Sequence, residues 1–192
     1  MIDELFTIKN QILPQKGRVL ISEPFLDDYY FKRSIVLLTE HNQEGSIGFV
    51  INNPVEVNLN ELLPDFPDIK ANVSLGGPVS TDSIQFIHTL GDLILQSVNI
   101  KPGLYWGGNF EQLKTLLQSD QIRKEDILFF IGYSGWSPNQ LENELSHNSW
   151  IVAELSTEAI MSYNRDIWKH TLNAMGEKHK RWANFPDNPG LN

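Results

Sequence analysis

Three observations predict an α+β fold for this chain. Short apolar runs bounded by turn formers fill its first half, capped helical segments come mostly after residue 109, and no shift in composition divides the two. At 192 residues, with 41% apolar and 20% charged side chains, residues 1–192 read as one soluble domain able to bury a core. The tail, from about residue 179 to 192, is expected to be irregular.

The strands come first. Arg18-Val19-Leu20-Ile21-Ser22, Ile35-Val36-Leu37-Leu38-Thr39 and Ile47-Gly48-Phe49-Val50-Ile51 are rich in β-branched residues, and Gly17, Pro24, Asp27, Asp28 and the polar stretches 42–45 and 52–54 bound them. Near-continuous apolar runs imply strands covered on both faces. The connection 41–46 is of hairpin length, so the second and third runs should pair antiparallel. Residues 59–63 form a short helix, with Asn58 placed to cap it, Glu61 in a capping-box relation and Pro64 ending it. Further strands are expected at 73–75, 84–90, 93–97 and 127–131, with Gly91-Asp92 as a hairpin turn.

Helices follow. The segment 111–118 opens after Asn109 and sets Leu113, Leu116 and Leu117 on one face. Ser137, with Pro138 at the first helical position and Gln140 as capping partner, starts another, whose Leu141 and Leu145 share a face. A strand at 150–155 precedes a last helix, which Asn164 caps and Gly176 stops, packing Ile167, Trp168, Leu172 and Met175 inward. Trp182 or Phe185 would pin the tail.

Composition removes whole classes of chemistry. Cysteine is absent, which excludes disulfides, thiolate nucleophiles, Cys-type zinc sites and iron–sulfur clusters. The formal charge of −9 disfavours a phosphate backbone as partner, and the small basic cluster of Lys178, Lys180 and Arg181 reads as solvated surface. The acidic start, Met1-Ile2-Asp3-Glu4, lacks the features of a signal peptide, and no apolar stretch approaches the ~20 residues that cross a bilayer. A cytoplasmic protein without a membrane partner is the simplest expectation. No His-x-x-x-His or nucleotide-loop pattern occurs, so neither a metal nor a cofactor is expected.

The remaining candidates are polar or aromatic residues at strand ends and turns. Ser134, in Gly132-Tyr133-Ser134-Gly135-Trp136, falls at an expected strand–turn–helix passage but misses the nucleophile-elbow spacing because Trp136 stands where glycine is needed. Glu40-His41 ends a predicted strand, where it could orient a proton or bond a turn carbonyl. His88 alternates with Phe86 and Leu90 and reads as a core histidine. Gly76-Gly77-Pro78 could present backbone N–H groups to an anion, though Pro78 removes one donor. Arg33 either meets an anionic ligand or pairs with Asp27, Asp28 or Glu40. Tyr105, Trp106, Tyr133 and Trp136 lie beside glycines, where rings either stack a ligand or close a structural junction.

Together these motifs resemble the YqgE/AlgH family of bacterial proteins. The resemblance rests on Arg33-Ser34-Ile35-Val36-Leu37-Leu38 with Glu40-His41, on Gly45 and Gly48 leading to Asn52 and Pro54, and on Gly76-Gly77-Pro78-Val79. It continues in Tyr105-Trp106-Gly107-Gly108 and in Gly132-Tyr133 through Gly135-Trp136 to Gln140-Leu141-Glu142, and so spans the chain from about Gly17 to the tail. It implies a mixed, largely antiparallel bifurcated sheet with a small barrel-like part, surrounded by helices. It implies no established activity; the family's label as transcriptional regulators comes from a link with alginate regulation. The family typically has Ala at the position of Ser134 and Gly at that of Ser137, so Ser134 cannot be a shared nucleophile.

The expected function is regulatory, through a small ligand or protein partner, without assignable catalysis. The site expected from the sequence comprises Arg33, Glu40, His41, Asn52, Tyr105, Trp106, Tyr133, Trp136 and Glu142. Two other readings stand beside it: direct action on DNA, and a hydrolase or transferase using Glu40, His41 and Glu142 as acid–base groups.

Overall fold

The computed structural model describes residue 8, residues 10–63 and residues 65–186. The acidic start, the helix stop at Pro64 and the end of the tail lie outside the described residues. The elements run β1 (Val19–Ser22), β2 (Ile35–Asn42), β3 (Gly45–Val50), α1 (Leu59–Leu62), β4 (Val73–Leu75), β5 (Val79–His88), β6 (Val98–Lys101) and β7 (Leu104–Trp106). After these come α2 (Phe110–Gln118), β8 (Ile127–Trp136), α3 (Gln140–Ser146), β9 (Trp150–Ala153), α4 (Thr157–Met161), α5 (Ile167–Ala174) and α6 (Glu177–Ala183).

One sheet carries the strands in the order β6-β7-β5-β8-β3-β2-β1-β9, antiparallel throughout, with β4 joined in parallel to β8 off this path. The fork is in β8. Its residues 127–131 pair with β5 on one edge, and residues 129–131 pair with β4 on the other. Beyond Gly132, residues 134–136 pair with β3 instead. Gly132 makes the change possible with a φ of +67°, a conformation that side chains with a Cβ resist. The chain leaving β3 then bonds to β4, through Val50 N–H to the Gly76 carbonyl, Leu75 N–H to Asn53 and Val55 N–H to Val73, each at 2.9 Å. Segment 50–55, β4 and β8 thus close back on β3, giving the barrel-like part of a bifurcated sheet.

Both faces of the sheet are covered, which is why its strands read as continuous apolar runs. Val19 and Ile21 of β1 pack into one cluster with Trp168 and Leu172 of α5, whereas Leu20 faces the opposite cluster with Leu141 of α3 and Trp150 of β9. A third cluster sets Phe86 and Phe129 against Leu113 and Leu117 of α2. Each fully buried Leu, Ile or Phe contributes about 1.5–3 kcal/mol to folding. Local capping is legible: the Asn109 side chain accepts the Gln112 N–H at 2.9 Å and opens α2.

Several expectations are corrected. Residues 93–97 are not a strand: Gly91–Leu93 form a 3-10 turn, and the strand lies further on at β6, returning through β7. Residues 132–136 continue β8 rather than turning into a helix, because Ser46, Ile47 and Gly48 supply a ladder partner. The helix after Ser137 begins only at Gln140, since Asn139 takes a left-handed φ of +64°. Half of the expected capping box survives there, with Ser137 N–H donating to Gln140 Oε1 at 3.0 Å. The tail read as irregular from residue 179 is helical to Ala183, and buried Trp182 anchors it. Helix α4, opened by the Ser156 side chain, had no counterpart in the sequence reading.

Candidate functional site

Two clefts gather sequence-predicted residues, one near each end of β2. The first, about 460 Å3, lies where the β2–β3 hairpin meets the end of β8. Its floor is a row across three strands, Glu40 opposite Ile47 and Ile47 opposite Gly135. Tyr133 and Trp136 border it, and Glu44 stands at the hairpin tip. Among the described residues its lining includes the carboxylates of Glu40 and Glu44 and no lysine, arginine or histidine.

His41, one residue on from Glu40, does not line this cleft. Its Nδ1 lies 2.8 Å from Ser46 Oγ, and its Nε2 is 3.8 Å from Glu142 Oε1 on α3. The second distance marks an ion-pair approach rather than a hydrogen bond. Trp136 is 6% exposed and is a core residue whose indole N–H donates to Glu144 Oε2 at 2.9 Å. Trp150 donates to the same oxygen at 2.7 Å, and Gln140 holds the other carboxylate oxygen at 3.0 Å.

The second cleft, about 340 Å3, holds Arg33 and Asn52. Arg33 sits at φ +50°, gives one guanidinium N–H to the Phe185 carbonyl at 2.6 Å, and lies 5.1 Å over the Trp168 ring. Asn52 acts as a strand partner in side-chain form: Oδ1 accepts Ile35 N–H at 2.8 Å and Nδ2 donates to the Arg33 carbonyl at 3.0 Å. Both therefore have structural duties, and what they leave open is the cleft between them.

Tyr105 and Trp106 belong to neither cleft, for β7 is separated from β8 by β5. Trp106 donates to Gln85 Oε1 at 3.2 Å and meets the Phe49 ring edge-on, while Tyr105 stacks on His88 at 5.6 Å. These rings form a structural junction, and the nine predicted residues do not converge on one cleft. Ser134 is also placed: fully buried, it donates to the Gly76 carbonyl at 2.9 Å. The Gly76 N–H is taken in turn by Ile131, so that turn offers no anion cradle there.

His88 is fully buried, and its Nδ1 accepts the Leu90 N–H at 3.2 Å. The proton of the neutral ring therefore sits on Nε2, which faces the Gly107 carbonyl at 3.1 Å. Burial pulls the His88 pKa below its ordinary value, against a smaller upward pull from that carbonyl. The unfolded chain then takes up the proton first, at about pH 6.5. The contribution of neutral His88 to stability is complete above that value and is lost as pH falls through the folded pKa. Urea unfolding from neutral to mildly acid pH should show this decline, and His88→Gln should make it shallower. Burial shifts His179 in the same direction, so some decline will remain.

The sequence reading missed Gly135 as a floor, and it missed Lys32 and Arg165 around the second cleft. Only the pairing of β3 with β8 and the return of the chain before α5 bring these residues into place. Among the described residues no group of three His, Asp or Glu side chains is arranged to hold a metal, and no helix is long and apolar enough to cross a membrane.

Comparisons with known proteins agree with this architecture. A family model described as AlgH-like matches residues 19–180. A UPF0301 protein of Cytophaga hutchinsonii is 44% identical over 179 residues, covering 92% of this chain and 98% of that one. One from Bacteroides thetaiotaomicron is 40% identical and covers 98% and 97% respectively. The solution structure of AlgH from Pseudomonas aeruginosa superposes with a TM-score of 0.71 at 26% identity, over 92% of this chain and 98% of that one. Protein DIP2367 of Corynebacterium diphtheriae shares the fold, with a TM-score of 0.70 at 20% identity over 94% and 97%. With the forked sheet, the motifs along the chain and near-full-length relatives in agreement, the chain belongs to the AlgH-like family of uncharacterised bacterial proteins.

Proposed function

We propose that this protein is a cytoplasmic, non-catalytic binding protein with a regulatory role, and that the cleft floored by Gly135 takes its small ligand or partner segment. One observation carries the reading. Every other described glycine either has a positive φ or would drive a Cβ within 3.0 Å of a neighbour; Gly135 does neither, its nearest contact being Tyr133 Cε2 at 3.5 Å. A glycine inside a strand costs roughly 0.5–1 kcal/mol relative to alanine. The fold does not require that cost at Gly135, and the open floor beside Ile47 accounts for it.

Gly135→Ala is expected to hold or raise stability by about 0.5 kcal/mol, and Gly135→Val to fold like the native protein with the floor filled. A fragment library screened by ligand-observed NMR should yield binders of the native protein that the Val variant no longer takes. Fragments that bind both proteins equally would remove the cleft from consideration.

A second reading has its own observation, the placement of His41 between Ser46 and Glu142. It is the weaker one, because Ser46 is 5% exposed and the Glu142 approach is too long to orient the imidazole. Turnover of a p-nitrophenyl ester above buffer rate, lost in His41→Ala, would establish it; none is expected. Direct action on DNA has less support, given the charge of −9 and the pairing of Lys180 with Glu177 on α6.

A further inference from the structure

The cleft beside Arg33 differs in kind from the first. Among the described residues, Lys32, Arg33 and Arg165 line it and no carboxylate does, in a chain where 24 acidic residues outnumber 15 basic ones. We propose that this cleft binds a small phosphorylated molecule carrying a flat ring, at a site separate from the Gly135 cleft.

The charges come first. Lys32 and Arg165 are exposed, and among the described residues neither has a carboxylate within ion-pair distance. Two available cations suit the dianion of a phosphomonoester better than a single carboxylate, and an arginine fork matches phosphate geometry. Arg33, committed to Phe185 and Trp168, adds positive field from behind and holds the wall in place.

The second observation is a polar group that the protein leaves unpaired. Ser34 lines the cleft and is 2% exposed, yet its hydroxyl has no hydrogen-bond partner among the described residues. The Ser34 backbone N–H, by contrast, is satisfied by Ser22 Oγ at 2.8 Å. A buried hydroxyl without a partner is unfavourable, and such groups in native proteins call for an explanation. A bound oxygen-rich group supplies one.

The ring requirement comes from Tyr29, 79% exposed and held edge-on to Tyr30 at 5.1 Å and 87°. Its turn is built in advance: Asp28 Oδ1 accepts the Tyr30 and Phe31 N–H groups at 2.8 and 3.0 Å. An exposed aromatic face beside two cations is suited to stacking a planar group while its phosphate is held. A volume of about 340 Å3 falls at the lower end for small-molecule sites, which begin at roughly 300 Å3.

The test is titration calorimetry with adenosine monophosphate, adenosine and inorganic phosphate as probes. The mononucleotide should bind at least about tenfold more tightly than either fragment, and Lys32→Ala and Arg165→Ala should each weaken it about tenfold, as loss of a charge-assisted hydrogen bond does. Both side chains are exposed, so these variants should fold normally. Ser34→Ala should weaken binding a few-fold while leaving the melting temperature of the free protein unchanged or higher. Gly135→Val should bind the mononucleotide as the native protein does, so this proposal and the reading of the first cleft can fail independently. Phosphate binding as tightly as the mononucleotide, no saturable binding at millimolar concentration, or indifference to Lys32→Ala and Arg165→Ala would each overturn it. So would tighter binding of a short single-stranded oligonucleotide, which would mark the patch as a nucleic-acid contact.

Discussion

Gly132→Ala should be the most damaging single-methyl addition in β8, with an expected loss of roughly 3–5 kcal/mol, a large share of a typical domain's stability. Two effects combine. At φ +67° an alanine is strained by about 1–3 kcal/mol. The new Cβ would also stand 2.7 Å from the Gly77 carbonyl oxygen and 2.8 Å from that of Val79. Both obstacles are backbone, so relief requires moving β5 or the turn before it, an overpacking penalty of about 1–3 kcal/mol. Urea unfolding followed by circular dichroism should show the midpoint collapse. Gly135→Ala, three residues further along the same strand, is the internal control and should be almost silent.

Glu144→Ala is expected to cost about 2–5 kcal/mol, from two buried indole N–H groups losing their acceptor at once. Trp136 and Trp150 are 6% and 2% exposed, and both donate to one carboxylate oxygen. The two rings sit in the cluster formed by Leu20, Val36, Leu38 and Val50, whose apolar side chains offer neither N–H another acceptor. Glu144→Gln keeps an acceptor oxygen and should cost only about 1 kcal/mol, the difference between a charged and a neutral acceptor. Guanidinium unfolding of the three proteins, read by far-UV circular dichroism, separates these outcomes. If alanine and glutamine proved equally mild, Glu144 would not be the group that satisfies the two rings.

How far the fold could be read from the sequence depended on where the information was local. β1, β2 and β3 were legible because both faces are buried, so their β-branched runs are uninterrupted. Asn109 was legible because a cap acts within one turn. Residues 93–97 misled because Leu93 and Leu95 make an apolar pattern although they are 56% and 61% exposed, whereas the true strand β6 buries only Ile100. Residues 132–136 misled for the opposite reason: their glycines look like a turn, yet only Gly132 bends, and β3 straightens the rest into a ladder.

The candidate sites were less legible, since residue type does not reveal which partners the sheet supplies. Arg33 and Asn52 were singled out, but Arg165 lies 113 residues beyond Asn52 and comes beside it only through the return of the chain before α5, where Asn52 Nδ2 lies 3.5 Å from the Arg165 carbonyl. Gly135 looked like its neighbours Gly132 and Gly45. The sequence cannot distinguish a glycine required by backbone geometry from one that leaves space, and only the surrounding atoms separate them.

The fork in β8 also has a consequence for synthesis. β3, β4 and β5 all emerge from the ribosome before their common partner exists, since β8 begins at Ile127. Until then β3 has only β2 as a strand neighbour, and β4 and β5 have no shared strand to align them. The nascent chain must therefore hold several unpaired apolar strand edges in solution while about two-thirds of it is made. A release that stalls before Ile127 should give an aggregating fragment, and the arrival of one ten-residue strand sets the moment at which this protein can first become a fold.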